Sequence, residues 1–172
     1  MHPLLHPLFI KYIEYFNGER DYFECHEVLE EYWKEVDPGN KDHPLVAWIQ
    51  LATGLYHWRR NNFSGAKRML EKSHLKMFRQ QGSEFFAGID LEHLLSDISR
   101  SLKAVEKREA FIPFKLQLST SFFGDGVDTA ILDEKFREAE SKSLIHKHMR
   151  RDRSHILQER QANLEARKRD RS

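Results

Sequence analysis

Apolar residues recur at helical spacing through most of the chain. The pattern predicts a first helix from about Pro7 to Phe16, with proline in its first turn, where a missing N–H costs nothing. "FNGERD" closes it: Asn17-Gly18 reads as a turn pair and Asp21 as the N-cap of the next helix. That second helix holds "YFECHEVLEEYW" and stops at "DPGN", Asp37 to Asn40. A third helix is expected from about Pro44 to Arg60 and a fourth from about Ser64 to Gln81, closed by Gly82. A fifth starts behind Asp90 and runs to about Glu109.

From Phe111 the character changes. "FIPFKLQLSTSFFGDGVD" carries a proline, two glycines and a run of β-branched and aromatic residues without helical period, and reads as a long ordered loop. Leu116 and Leu118 alternate with polar neighbours, yet a lone short strand has no partner here; the alternative is a strand that adds to another chain's sheet. From about Ala130 the helical pattern returns, with Phe136, Ala139, Leu144 and Ile145 as packing positions. After Met149 apolar residues thin to Ile156, Leu157 and Leu164, the signature of a solvent-bridging, partner-bound or frayed helix. The expected fold is all-α: an antiparallel five-helix bundle over 1–110, an ordered loop over 111–129 and a long C-terminal helix in an extension over 130–172.

A weak internal echo runs through the first half. Aligning Cys25 with Ala66 and Leu29-Glu30 with Leu70-Glu71 gives a period of 41 residues. Two copies are too few for a solenoid, and two successive helix hairpins account for them.

Charge changes this picture in one respect. The net charge of 172 residues is +1, which argues against a dedicated nucleic-acid binder. From Ala130 onward, however, 12 Lys+Arg stand against 8 Asp+Glu, so a mildly acidic body carries a basic tail. Cys25 is the only cysteine, which excludes an intrachain disulfide and a cysteine-rich zinc site. The opening "MHPLLHPLFIKYIEYF" lacks a basic stretch and a small-residue cleavage site, and no run of apolar residues is long enough to span a bilayer. A cytoplasmic protein without membrane contact is the expectation.

Candidate chemistry sits inside the helical pattern. At 100° per residue, Tyr22, Phe23, His26, Leu29, Glu30 and Trp33 fall within an arc of about 120°. His26 and Glu30 are neighbours at i, i+4, Glu27 lies at the edge of the arc, and Glu24 and Glu31 point away. The third helix is apolar nearly all round, and its polar stripe is Gln50, Thr53 and His57, with Gly54 beside them. Facing helices predict a buried cluster of His26, Glu30, Gln50 and His57, joined by Glu27 and Tyr56. A structural hydrogen-bond network explains such a cluster without a ligand, because each buried group left unpaired costs about 1–3 kcal/mol. The same residue types also form metal sites, with His26, Glu30 and His57 as ligands of a divalent transition metal. A small-ligand pocket using the same groups is the third option. "HEVLE" has Glu30 where a zinc-protease motif has its second histidine.

Other positions carry weaker signals. Cys25 reads as a small packing residue, and His74 as a helix-surface or interface residue. His2 and His6 lie near the N terminus, and His43 precedes Pro44 in a turn. "HKHMRRDR", His146 to Arg153, reads as a solvated face, with phosphate contact as the alternative; it lacks the interleaved aromatics that stack bases. No glycine-rich phosphate loop, Cys-x-x-Cys or nucleophile elbow occurs.

"FNGERDYFECHEVLEEYWK" and "IQLATGLYHWRRNNFSGAKRML" together resemble the DUF309 proteins, small helical proteins of bacteria, archaea and plastids without an established activity. The family pattern has Phe-Asn-x-Gly, then Tyr-x-Glu-x-His-Glu-x-Leu-Glu-x-x-Trp, then a Gln and a His on a central helix and a Gly-Ala after an Asn. It falls here on Asn17, Glu24, His26, Glu27, Glu30, Trp33, Gln50, His57, Asn62, Gly65 and Ala66, within about 8–75. Asn17 and Gly18 stand one residue closer than in the family, and a Gln-Gly pair on the third helix reads Val46-Ala47, so a contact through that glutamine does not carry over. The resemblance implies an all-helical bundle and supplies no reaction.

Three functions remain in play. The first is a non-enzymatic helical adaptor whose loop and C-terminal helix engage a protein partner or a second copy of the chain. The second is a metal-dependent or acid–base enzyme using His26, Glu27, Glu30 and His57. The third is a nucleic-acid-associated protein acting through its basic tail.

Overall fold

The computed structural model describes residues 1–124 and, nearer the C terminus, positions 161, 162, 164–166 and 169. Most of the basic extension, including His146 to Arg153, and the end of the 111–129 loop lie outside the described residues. By compactness the chain divides into Met1–Ser141 and Lys142–Ser172. In the second unit the described positions are helical, and Gln161 donates to Glu165 Oε1 at 3.1 Å.

The fold is all-α, and no strand occurs among the described residues. The helices are α1 (Pro7–Ile13), α2 (Tyr22–Val36), α3 (Pro44–Arg59), α4 (Phe63–Arg79), α5 (Leu91–Glu106) and a single turn, α6 (Thr120–Phe123). Two 3-10 turns, Pro3–Leu5 and Glu84–Phe86, lie before α1 and between α4 and α5. None of these helices is long and apolar enough to cross a membrane.

Three helical segments start on a His-Pro-Leu triplet. His2, His6 and His43 accept the backbone N–H of Leu4, Leu8 and Leu45 on Nδ1, at 3.2, 3.2 and 3.1 Å. The proline then occupies the first helical position, where no intrahelical N–H bond is needed. These histidines are helix caps. Burial holds the His43 imidazole below its usual pKa, which keeps Nδ1 available as an acceptor.

The first helix does not stop at a turn pair. It widens into a π-helical stretch, Glu14–Glu19, which includes Asn17 and Gly18, and ends at Arg20 in the left-handed region with φ 53°. The wider turn has a use, since it turns the Asn17 side chain into the interior, where it binds another segment. The 41-residue echo is real in local structure. Arg20 and Asn61 both have left-handed φ, Asp21 and Asn62 both cap the next helix by accepting the N–H three residues on, and Tyr22 and Phe63 open α2 and α4. Cys25 and Ala66, and Leu29 and Leu70, are paired core positions of the two helices.

α3 is the centre of the core: Leu45, Ala47, Trp48, Leu51, Ala52 and Leu55 are fully buried, each large one contributing about 1.5–3 kcal/mol by leaving water. The Trp48 indole donates to the Phe85 carbonyl at 3.1 Å, and the Tyr12 hydroxyl donates to the Trp48 carbonyl at 2.9 Å. α3 and α4 run antiparallel at close range, with Ser73 Oγ donating to the Ala47 carbonyl at 2.7 Å and Gly54 against Leu70. α1 packs on α2, α2 on α3 and α4 on α5.

Residues 111–124 lie against this body. Phe111 meets Trp58 edge-on at 5.1 Å, and Phe114 lies 5.7 Å from Phe16. Asn17 holds the segment by its backbone: Nδ2 donates to the Leu116 carbonyl at 3.0 Å, and the Leu116 N–H donates to Oδ1 at 2.8 Å. The expectation that Leu116 and Leu118 lack a pairing partner is corrected. Leu118 forms an isolated antiparallel bridge with Ile89, in the connection before α5, because the Asp90 and Ser119 amides donate to the Gln117 and Gly88 carbonyls.

Candidate functional site

Asp21 caps α2 through a 3.2 Å bond from the Glu24 N–H, and regular winding beyond it sets His26, Glu27 and Glu30 side by side. His26 Nδ1 lies 3.3 Å from Glu27 Oε1, and Nε2 lies 3.4 Å from Glu30 Oε2. Glu30 also takes the Lys34 ammonium at 2.7 Å. One ligand atom from each of His26, Glu27 and Glu30 can be chosen so that all lie within 4.8 Å of one another.

This group is not buried. The side chains of His26, Glu27 and Glu30 are 33%, 52% and 33% exposed, so a dry network does not describe them. The buried face of α2 is instead Tyr22, Cys25, Leu29 and Tyr32, rotated by about 80° from the arc read in the sequence. The cause is α1, which covers α2 on a second side. The Cys25 thiol donates to the Tyr12 carbonyl at 3.6 Å, the Tyr32 hydroxyl donates to the Pro3 carbonyl at 2.9 Å, and the His6 ring stacks on Tyr32 at 4.0 Å. The core-facing stripe must therefore serve two neighbours, and His26 and Glu30 fall on its flank.

The polar stripe of α3 does not meet them. Thr53 bonds back to the Ile49 carbonyl at 2.8 Å, and His57 Nδ1 accepts from Asn62 Nδ2 at 3.2 Å. Gln50 Oε1 is buried without a hydrogen-bond partner. Burial, then Arg68 and Arg60, hold the His57 imidazole below its usual pKa, which suits a ring that accepts a bond from an amide. The set His26, Glu30 and His57 is thus not assembled; Glu27 stands where His57 was expected.

The supporting motif residues act on the fold. Trp33 Nε1 donates to the Asn40 carbonyl at 3.0 Å and closes the α2–α3 turn. Tyr56 accepts from the Arg60 guanidinium, which also lies 5.1 Å above its ring. Asn62 Oδ1 accepts the Gly65 N–H at 3.1 Å, and a Cβ at Gly65 would come within 2.7 Å of the Asn62 amide. Ala66 fills the core behind it. His74 Nε2 lies 3.2 Å from Ser99 Oγ, between α4 and α5.

Sequence reasoning missed the buried polar cluster that does exist. Arg20 and Asp21 are 7% and 0% exposed. Arg59 reaches them from the end of α3: Nη1 donates to the Arg20 carbonyl at 2.6 Å, and the guanidinium lies 4.9 Å over the Tyr22 ring. Burial raises the Tyr22 and Cys25 pKa values, so both stay protonated, and the Cys25 thiol is not a nucleophile. The signal available was the charged pair Arg20-Asp21 directly before an aromatic-rich helix, which reads as a cap unless the left-handed Arg20 is known.

A family model described as a domain of unknown function, DUF309, matches residues 9–69, the stretch that contains His26, Glu27, Glu30, Gln50 and His57. Over 168 residues the chain is 33% identical to the uncharacterized protein YpuF of Bacillus subtilis (strain 168), an alignment spanning 95% of this chain and 97% of that protein. No solved structure matches.

Proposed function

The chain belongs to the DUF309 family, and from that premise we propose that it is a non-enzymatic helical interaction module whose partner face recognises a second copy of itself. The observation that carries this is the outer face of α4. Leu75 and Phe78 are 47% and 56% exposed there, among exposed Arg68, Lys72 and Arg79, which make no ion pair with another described residue. The outer face of α2 is its charge complement, with Glu24, Glu27, Glu31 and Glu35. Each stripe spans the same stretch of helix, about 16 Å. Joining unlike faces of identical chains gives a head-to-tail assembly. Exposed ion pairs contribute up to about 1 kcal/mol each and are screened by salt, so the association is weak and strengthens as salt is lowered.

Sedimentation at low and high salt tests this. The chain should associate at low salt and dissociate as salt rises. Arg68→Glu/Lys72→Glu/Arg79→Glu and Glu27→Lys/Glu31→Lys/Glu35→Lys variants should each be monomeric, and mixing the two should restore a complex. A wild type that stays monomeric at low salt refutes the proposal.

A second reading, a metal site of an enzyme, rests on the His26, Glu27 and Glu30 group. The donor set suits a divalent transition metal, with positions left open on the solvent side. Loading it requires donor atoms drawn to about 3.5 Å apart and Lys34 displaced from Glu30. Elemental analysis of untagged protein purified without chelator should then find a near-stoichiometric metal, absent from His26→Ala of unchanged metal-free melting temperature. Metal-free wild type, or metal retained by the variant, removes this reading.

A further inference from the structure

The proline of each His-Pro-Leu triplet crowds the residue before it and leaves that residue extended. His2, His6 and His43 accordingly share one backbone conformation, with ψ 138°, 136° and 139°. In it the ring folds back over the first helical turn, and Nδ1 meets the N–H two residues on, as an asparagine oxygen does in an Asx turn. Such a bond exists only for the neutral imidazole. Protonation turns Nδ1 into a donor that faces a donor. It also places positive charge at a helix start, which the helix dipole disfavours.

Two of the caps are joined through aromatic rings. The His6 ring stacks on Tyr32 at 4.0 Å, Tyr32 lies 6.4 Å from Phe85, and Phe85 meets His43 edge-on at 4.8 Å. His2 meets Phe122 of the 111–124 segment edge-on at 4.6 Å. Residues 1–6 thereby cover Tyr32, which is 4% exposed and donates its hydroxyl proton to the Pro3 carbonyl. The charged groups around these rings are acidic. Glu35 Oε2 lies 3.6 Å from His6 Nε2 and fixes the ring proton on that side, which leaves Nδ1 as the acceptor. Glu84 acts on Tyr32 from the turn before α5, and Asp37 acts on His43. Asp42, next to His43, is tied to Lys76 at 3.8 Å.

We propose that the three caps form an acid switch: neutral imidazoles hold residues 1–6 closed over Tyr32, and protonation releases them. The closed form binds fewer protons at these rings than the open form, so it is favoured as pH rises. At His43, burial lowers the imidazole pKa in the folded chain. Its contribution is therefore intact above about pH 6.5, the ordinary imidazole value, and is lost as pH falls towards the lower folded value.

Amide hydrogen exchange of the full chain, followed by NMR and expressed as protection at about pH 7.5 and about pH 5, tests this across the imidazole range. Protection of the Leu4, Leu8 and Leu45 amides should fall at least about fivefold at the lower pH, while that of Ile98 in α5 holds. His2→Asn/His6→Asn/His43→Asn should be protected alike at both pH values, because an asparagine oxygen caps the same N–H without titrating. His2→Asn/His6→Asn should hold at Leu4 and Leu8 and still lose protection at Leu45. Wild-type protection that is equal at the two pH values overturns the proposal. So does an equal fall in the triple variant, or a fall that reaches Ile98 as strongly as the caps, the mark of general acid unfolding.

Discussion

Replacing Asn17 by alanine is expected to destabilise the protein by about 2–4 kcal/mol, a fall of roughly 10 °C in melting temperature. Asn17 is 6% exposed and Leu116, whose backbone it holds, is 3% exposed. Both hydrogen bonds, at 3.0 and 2.8 Å, join residues 99 positions apart in the chain. Alanine leaves the Leu116 N–H and carbonyl facing a space without a polar partner. The chain then either retains two unsatisfied groups or releases the 111–124 segment, which strips cover from Phe16 and Trp58. The second route caps the loss, because the free energy of local release cannot be exceeded. Hydrogen exchange separates the two: protection of the Leu116 amide should drop far more than that of amides in α3. If the variant melts within a degree or two of wild type and that amide stays protected, the clamp carries no stability.

Gly54→Val should cost about 3 kcal/mol, and even Gly54→Ala should destabilise. The sign of the alanine change is the informative part, because alanine in an ordinary helix interior gains about 1 kcal/mol over glycine. Here a Cβ would stand 2.8 Å from Leu70 Cγ and Cδ2 and 3.2 Å from the Leu70 backbone nitrogen. A flexible side-chain tip can give way, but Leu70 is fully buried and a helix backbone moves only as a whole. Valine forces α4 outward and opens the contact that Ser73 makes with Ala47. Thermal or denaturant melts of Gly54→Ala, Leu70→Ala and the pair should show strong coupling, with the double variant less damaged than the sum. Additive losses would place the cause elsewhere than the α3–α4 contact.

Much of the fold is legible in the chain for a local reason. Helix α3 is apolar around most of its circumference and could only be central, and α4 and α5 each show one apolar stripe. Asp21, Asn62 and Asp90 mark helix starts because short polar side chains satisfy free N–H groups there. The His-Pro-Leu triplets were equally local, yet histidine is an unusual cap and its role shows only once Nδ1 is seen against the backbone. The candidate site was legible as residue types and spacing on α2, and not as an environment. A helical wheel gives relative angles between side chains, but its zero is set by whatever packs against the helix.

Spacing along the chain is enough to show that the described body is helical, roughly where its helices begin and end, that α3 lies inside, and that His26, Glu27 and Glu30 stand together. Those properties follow from interactions within a few residues, which spacing encodes directly. That α1 and α3 share α2, so that Cys25 and Tyr32 are buried and His26 and Glu30 reach solvent, follows from the packing of the helices. So do the bond of His57 to Asn62, the meeting of Arg59 with Arg20 and Tyr22, and the clamp of Asn17 on Leu116. Each of these joins side chains whose directions are set by the packing of several helices at once, a sum of long-range contacts that no single stretch of chain contains.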